Sequence, residues 1–204
     1  GRQTHGSRPW GGVDPIVVAS QIVTAAQSIV SRQVDITAAP AVLSFGVIEG
    51  GIRNNIIPDE VTLIGTIRNF DMDIRRSIHE KLERTARLTA ESYGATAETV
   101  IDLGYPVTVN DPELTGEMLD TVVRVAGEGR VIEAPLITGA EDFSYYAQRT
   151  PGLFLFLGVT PPDQDPMTAP SNHSPLFYVD ESALVTGVQL LTGLTLDFMR
   201  SQKM

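Results

Sequence analysis

Cysteine is absent from this chain of 204 residues, which removes disulfides and thiolate metal ligands together. Histidine is scarce: His5, His79 and His173 are the only three. Positive charge is also in short supply. Fifteen Lys and Arg face 25 Asp and Glu, a formal net charge of -10. A surface of that sign repels phosphate backbones and anionic bilayers, so neither nucleic acid nor a membrane is expected as partner. No uninterrupted apolar run approaches the ~18 residues of a membrane span. The longest, "GLFLFLGV", has the length of a strand. No basic segment with an apolar core opens the chain, so no secretory leader is expected. A cytoplasmic location follows as the expectation. The chain opens at Gly1 without an initiator Met and reads as a piece of a longer protein.

Apolar residues make up 42% of the chain, enough to bury a core. Asp14-Pro15 reads as a helix cap followed by a first-turn proline, and a helix is expected to about Arg32. Residues 41–49 and 61–69 alternate as strands, separated by the turn-rich "GGIRNNIIPDE". Asp71 or Asp73 opens a second helix that Gly94 closes. Residues 96–103 read as another strand. If residues 1–9 hold the tail of a strand, the order is strand-helix-strand-strand-helix-strand, the ferredoxin-like βαββαβ plan. Such a sheet leaves an edge available for a second copy. Beyond about residue 105 the pattern becomes α/β. A helix runs from Asp111-Pro112 to about Gly127, and a short strand is expected at 131–137. A short helix follows at 141–148. "GLFLFLGV" reads as a strand buried on both faces, and a last helix at 181–200 is capped by Asp180.

Four motifs occur in order: "GRQTHGSRPWGGVDPI", "GGIRNNIIPDEVTLIGTIRNF", "GAEDFSYY" with "PGLFLFLG", and "NHSPLFYVDESAL". With them the chain resembles the C-terminal half of the zinc-dependent amidohydrolases: aminoacylase, hippurate hydrolase, the indole-acetyl-amino-acid hydrolases and related carboxypeptidases. The resemblance covers essentially the whole chain. It implies a ferredoxin-like lid and dimerisation domain at 1–114, followed at 115–204 by the returning end of an α/β metallohydrolase catalytic domain. It implies hydrolysis of an amide bond in an N-acyl amino acid or small peptide, and a homodimer formed through the lid. It also implies a divalent metal, zinc by expectation, with manganese or cobalt as substitutes. The Gly-His-Asp and Glu-Glu motifs that supply most of the family's metal ligands and its general base are not present here. The metal site is therefore expected to be incomplete in this chain, and the chain alone inactive.

The resemblance assigns roles residue by residue. His173 in "NHSP" matches the family's last metal ligand. His5 in "THGSRP" matches the lid histidine that polarises the scissile carbonyl in the neighbouring subunit's site. Asn55 matches an asparagine that hydrogen-bonds the substrate near that carbonyl, although Asn54-Asn55 would equally serve a turn. Arg68 matches an arginine that grips a substrate carboxylate; as a residue it is also an ordinary surface arginine. Gly139, in "GAEDF", matches a pocket-lining turn where backbone approaches substrate. His79, among charges in the second helix, reads as part of a solvated face. A non-catalytic dimerisation or small-molecule-binding module is the alternative reading, since fold does not imply function.

Overall fold

The computed structural model describes residues 1–202. It is a mixed α/β structure with small sheets. It divides into two compact units, Gly1–Val107 with Thr138–Ala140, and Thr108–Ile137 with Glu141 onward. The boundary expected at residue 114 falls in the first turn of a helix that begins at Pro112.

In the first unit, strand β1 (Thr4–His5) leads to helix α1 (Pro15–Gln33). Strands β2 (Ala41–Gly50), β3 (Ile56–Ile57) and β4 (Val61–Asn69) follow, then helix α2 (Met72–Ser92). The caps are as the local sequence dictates. Asp14 Oδ1 accepts from the amides of Ile16 and Val17, and Asp71 Oδ1 from those of Asp73 and Ile74. At the far end of α2, Gly94 adopts φ 75° and the Ala95 amide donates back to Ala90. That is a helix stop built on a left-handed residue.

β2 and β4 pair antiparallel with one bulge between Phe45 and Val47. Pleating sends Leu43 and Ile67 to the helix side and Val42, Ser44, Thr66 and Arg68 to the other. The core is that helix side. Ala26, Ile29, Leu43 and Ile78 form one buried cluster, and Val18, Ile22, Ala86, Ala90 and Ala95 a second. β1 pairs with β3, not with the β2–β4 ladder. Residues 96–103, expected as the last strand, carry no ladder among the described residues. The helices and the paired strands follow the ferredoxin-like order up to that point.

In the second unit, helices α3 (Pro112–Ala126), α4 (Phe143–Ala147) and α5 (Ser182–Ser201) are linked by long segments that form neither helix nor strand. Residues 131–137 and "GLFLFLGV" were expected as strands, and neither is paired among the described residues. A strand exists only against a neighbour that takes its backbone bonds. Here Asn110 substitutes locally, its side chain exchanging two hydrogen bonds with the backbone of Phe154, at 2.9 and 2.7 Å. Phe154 also packs on Phe143 and Phe156, with ring centroids 5.4 and 5.1 Å apart.

α3 and α5 are locked by Asp197. Its carboxylate accepts from the Thr121 hydroxyl at 2.8 Å, from Arg124, and from Arg200 at 3.1 Å. Thr121 is buried, so its hydroxyl needs that acceptor. The Thr121 bond first, then the two guanidinium groups, hold the Asp197 carboxyl below its usual range against a partly desolvated position. In the unfolded chain Asp197 binds a proton more readily. Its stabilising contribution is therefore present above the ordinary carboxylate pKa and lost as pH falls through the lower folded value. Urea melts of Asp197→Asn are expected to show a lower midpoint at neutral pH and a flatter decline below about pH 5 than the parent.

α5 is a long apolar helix. The sequence has no uninterrupted apolar run of spanning length, yet this helix of 20 residues is long and apolar enough to cross a membrane, with a mean hydropathy of 1.3. Thr, Gly and Ser interrupt its apolar residues without adding charge. None of its residues is buried. Asp180, expected as its cap, stands one residue before the capping position, which Glu181 takes, and its Oδ1 accepts from the Ser182 amide at 2.9 Å.

Candidate functional site

His5 and Asn55 are brought together by pairing between segments far apart in sequence. In the β1–β3 ladder, His5 lies opposite Ile56 and Thr4 opposite Ile57. The next amide, that of Gly6, donates to the Asn55 carbonyl at 2.8 Å. A Cβ on Gly6 would lie 3.1 Å from that oxygen, so the close approach favours glycine. Two further bonds anchor the edge, from the Gly1 amino group to the Asp59 carbonyl at 2.7 Å and from the Gln3 amide to Asp59 Oδ1 at 2.8 Å. The Arg2 and Val13 backbones exchange bonds at 2.9 and 3.0 Å, closing the loop that holds His5. The side chains of His5 and Asn55 are exposed.

His5 opens a tight turn, with the Arg8 amide donating to its carbonyl at 2.8 Å. Its Nδ1 accepts from the Ser7 amide at 3.1 Å and lies 2.8 Å from the Ser7 hydroxyl. Nothing in the pattern of apolar and polar residues marks Ser7. The signal is its place two residues after a histidine in a turn.

Arg68 stands on the helix-free face of β4, opposite Val42. Its Nε donates to Thr66 Oγ1 at 3.0 Å, two residues back on the same face. That leaves both terminal nitrogens for an end-on, bidentate grip on a carboxylate. Gly139 belongs to Thr138–Ala140, which groups with the first unit.

In the second unit, Glu141 and Asp142 lead into α4. Neither Glu141 nor Asp142 caps that helix with its side chain; instead the buried Ser144 hydroxyl donates to the Glu141 carbonyl at 2.6 Å. His173 is exposed and sits in a turn in which the Ser174 amide donates to Ser171 at 2.8 Å. The following backbone folds onto Ser174, which accepts from Leu176 and Phe177. His79 is half-buried rather than fully solvated. Burial, with the Arg75 charge one turn away, pulls its imidazole below the ordinary value.

No group of three or more His, Cys, Asp or Glu side chains able to hold a metal occurs among the described residues. A catalytic zinc wants about three protein ligands. His173 is one imidazole, so these residues do not by themselves make such a site.

A family model, Peptidase family M20/M25/M40, matches residues 6–197. Thermostable carboxypeptidase 2 of Saccharolobus solfataricus is 37% identical over 199 residues, covering 97% of this chain and 49% of that protein. The N-acetyl-L-cysteine deacetylase of Bacillus subtilis is 35% identical over 185 residues, covering 91% and 42%. A crystal structure from Bacillus subtilis, described as a dinuclear metal binding peptidase from the M20 family, superposes with a TM-score of 0.73 at 28% identity. It covers 89% of this chain and 45% of the other. The chain spans about half the length of the curated relatives it matches.

Proposed function

This chain belongs to peptidase family M20/M25/M40, and we propose on that premise that it serves the hydrolysis of an amide bond in N-acyl amino acids or small peptides. The observation that carries the reading is the β1–β3 ladder, which sets His5 beside Asn55 at one edge of the first unit. Relatives named as a carboxypeptidase and as a deacetylase of an N-acetyl amino acid support it. Both names describe amide hydrolysis. We read the first unit as a lid and the second as the returning end of a catalytic domain, working in the cytoplasm.

The residues divide the work by chemistry. Water adds to the carbonyl carbon and the C–N bond breaks, giving a carboxylate and an amine. His5 donates a hydrogen bond to the carbonyl oxygen as that oxygen gains charge. The Asn55 amide donates near the same oxygen. Arg68 holds the substrate's carboxylate end-on. Gly139 lets backbone approach the substrate. His173 is one ligand of a divalent metal, zinc by our reading with manganese or cobalt as substitutes, and the remaining donors come from elsewhere. A homodimer forms through the first unit. In support, both edges of the β2–β4 ladder lack a partner strand among the described residues, and Val47 and Ile48 are exposed beside α1.

The test is substrate selectivity in the metal-loaded enzyme that carries these residues. Arg68→Ala is expected to raise KM at least tenfold for substrates with a free carboxylate, the loss of a charge-assisted pair. It should leave KM for the matching carboxamides unchanged. Equal effects on both would remove the assignment of Arg68.

A further inference from the structure

We propose that Ser7 is a positioning residue that holds His5 as a neutral hydrogen-bond donor with its proton on Nε2. The proposal rests on the reading of His5 as the donor to the scissile carbonyl. It starts from the turn His5–Arg8, closed by the Arg8 amide on the His5 carbonyl. Inside that turn the Ser7 amide points at His5 Nδ1 from 3.1 Å, and the Ser7 hydroxyl lies 2.8 Å from the same nitrogen.

A backbone N–H can only donate. While that bond is made Nδ1 offers its lone pair, and the hydroxyl, at the shorter distance, is its second donor, so the two donors together set the tautomer. A neutral imidazole has one N–H, and with Nδ1 acting as acceptor it lies on Nε2. The ring at the first position of the turn thus does what Asp, Asn or Ser does there, taking the amide two residues on.

The consequences are chemical. Nδ1 is withdrawn from service as a base or metal ligand, and Nε2 presents a proton. The backbone beneath the ring is fixed as well, by pairing of His5 with Ile56 and by the Gly6 bond to Asn55. A donor aimed before charge develops needs no reorganisation when it does, which is where such donors gain their effect.

Two measurements test this. The first is nitrogen-15 NMR of the histidine rings, with His5 identified by the signals lost in His5→Gln. The parent is expected to hold His5 almost wholly in the Nε2–H form. Ser7→Ala, which keeps the backbone donor and removes the hydroxyl, should shift it toward the tautomer mixture of a free imidazole, and Ser7→Thr should not. The second is a double-mutant cycle in the metal-loaded enzyme. Ser7→Ala should lower kcat about tenfold with KM unchanged, Ser7→Thr should recover it, and Ser7→Ala should cost nothing more once His5 is Gln. A proton on Nδ1 in the parent overturns the proposal, as does an equal Ser7→Ala loss with and without His5. If His5→Gln leaves kcat unchanged while Ser7 still sets the tautomer, the carbonyl reading is what fails, and the proposal falls with it.

Discussion

On the role proposed for His5, changing it to alanine is expected to lower kcat by about 10²–10³ in the metal-loaded enzyme, the usual loss for one oxyanion donor, while KM stays near its parent value. The split follows from where the side chain acts. A hydrogen bond that strengthens only as the carbonyl oxygen takes on charge stabilises the transition state, not the bound substrate. The fold should not notice the change. The His5 ring is exposed, and its contribution to the β1–β3 ladder is made by backbone groups that alanine also has. Steady-state kinetics with a thermal melt beside them check both halves. A proportional rise in KM, or a large drop in the melting midpoint, would move His5 from transition-state donor to substrate holder or structural residue.

The second large effect lies in the core. Ile78→Ala is expected to cost about 2–5 kcal/mol of stability, transfer and cavity together. Ile78 is fully buried among Ala26, Ile29 and Leu43, with Leu82 and Phe45 against the cluster. It joins α2 to both α1 and the sheet, so no neighbour can fill the gap without leaving its own contacts. Ile29 is equally buried in the same cluster. The double variant Ile29→Ala/Ile78→Ala should therefore depart from the sum of the singles. Amide exchange in α1 and α2 under native conditions reads the loss where it occurs. Exchange unchanged in both helices would show that the cluster does not set their stability.

Much of the first unit is legible from local signals. Asp14-Pro15, Asp71 and Gly94 mark helix ends because caps act within a few residues. The alternation at 61–69 reproduces β4 to the residue. The face of α2 is less legible. Leu88 and Tyr93 are half-exposed, while Ala86 and Ala90 are buried. Where two helices pack closely, small residues win the inner stripe, and hydrophobicity alone does not rank alanine above leucine. The extended segments 96–103, 131–137 and 152–159 show a different limit. Their composition is that of strands, but a strand is a property of a pair, and no strand pairs with them among the described residues.

The candidate site is legible as separate residues and hidden as an arrangement. His5 and Asn55 stand in motifs that a family resemblance picks out one at a time. Their adjacency depends on a ladder of two residues a side, which leaves no periodic trace. Ser7 and Thr66 carry no sequence signal beyond lying two places from a candidate side chain. His173 is the reverse: its motif is plain, and the donors that would make it a metal site do not gather around it.

The brevity of that ladder also bears on folding order. The Gln3 bond to Asp59 spans 56 positions, and a ladder of only two residue pairs, with a few single bonds beside it, rewards closing so long a loop. Loop-closure entropy is spent before such contacts form. The α1–α2 core closes loops just as long, but two buried apolar clusters reward it, so it can assemble first and the edge carrying His5 docks onto it late. By the same reasoning this edge is expected to open before the core does, so the pairing that sets His5 beside Asn55 can be lost and regained many times while the hydrophobic core stays closed.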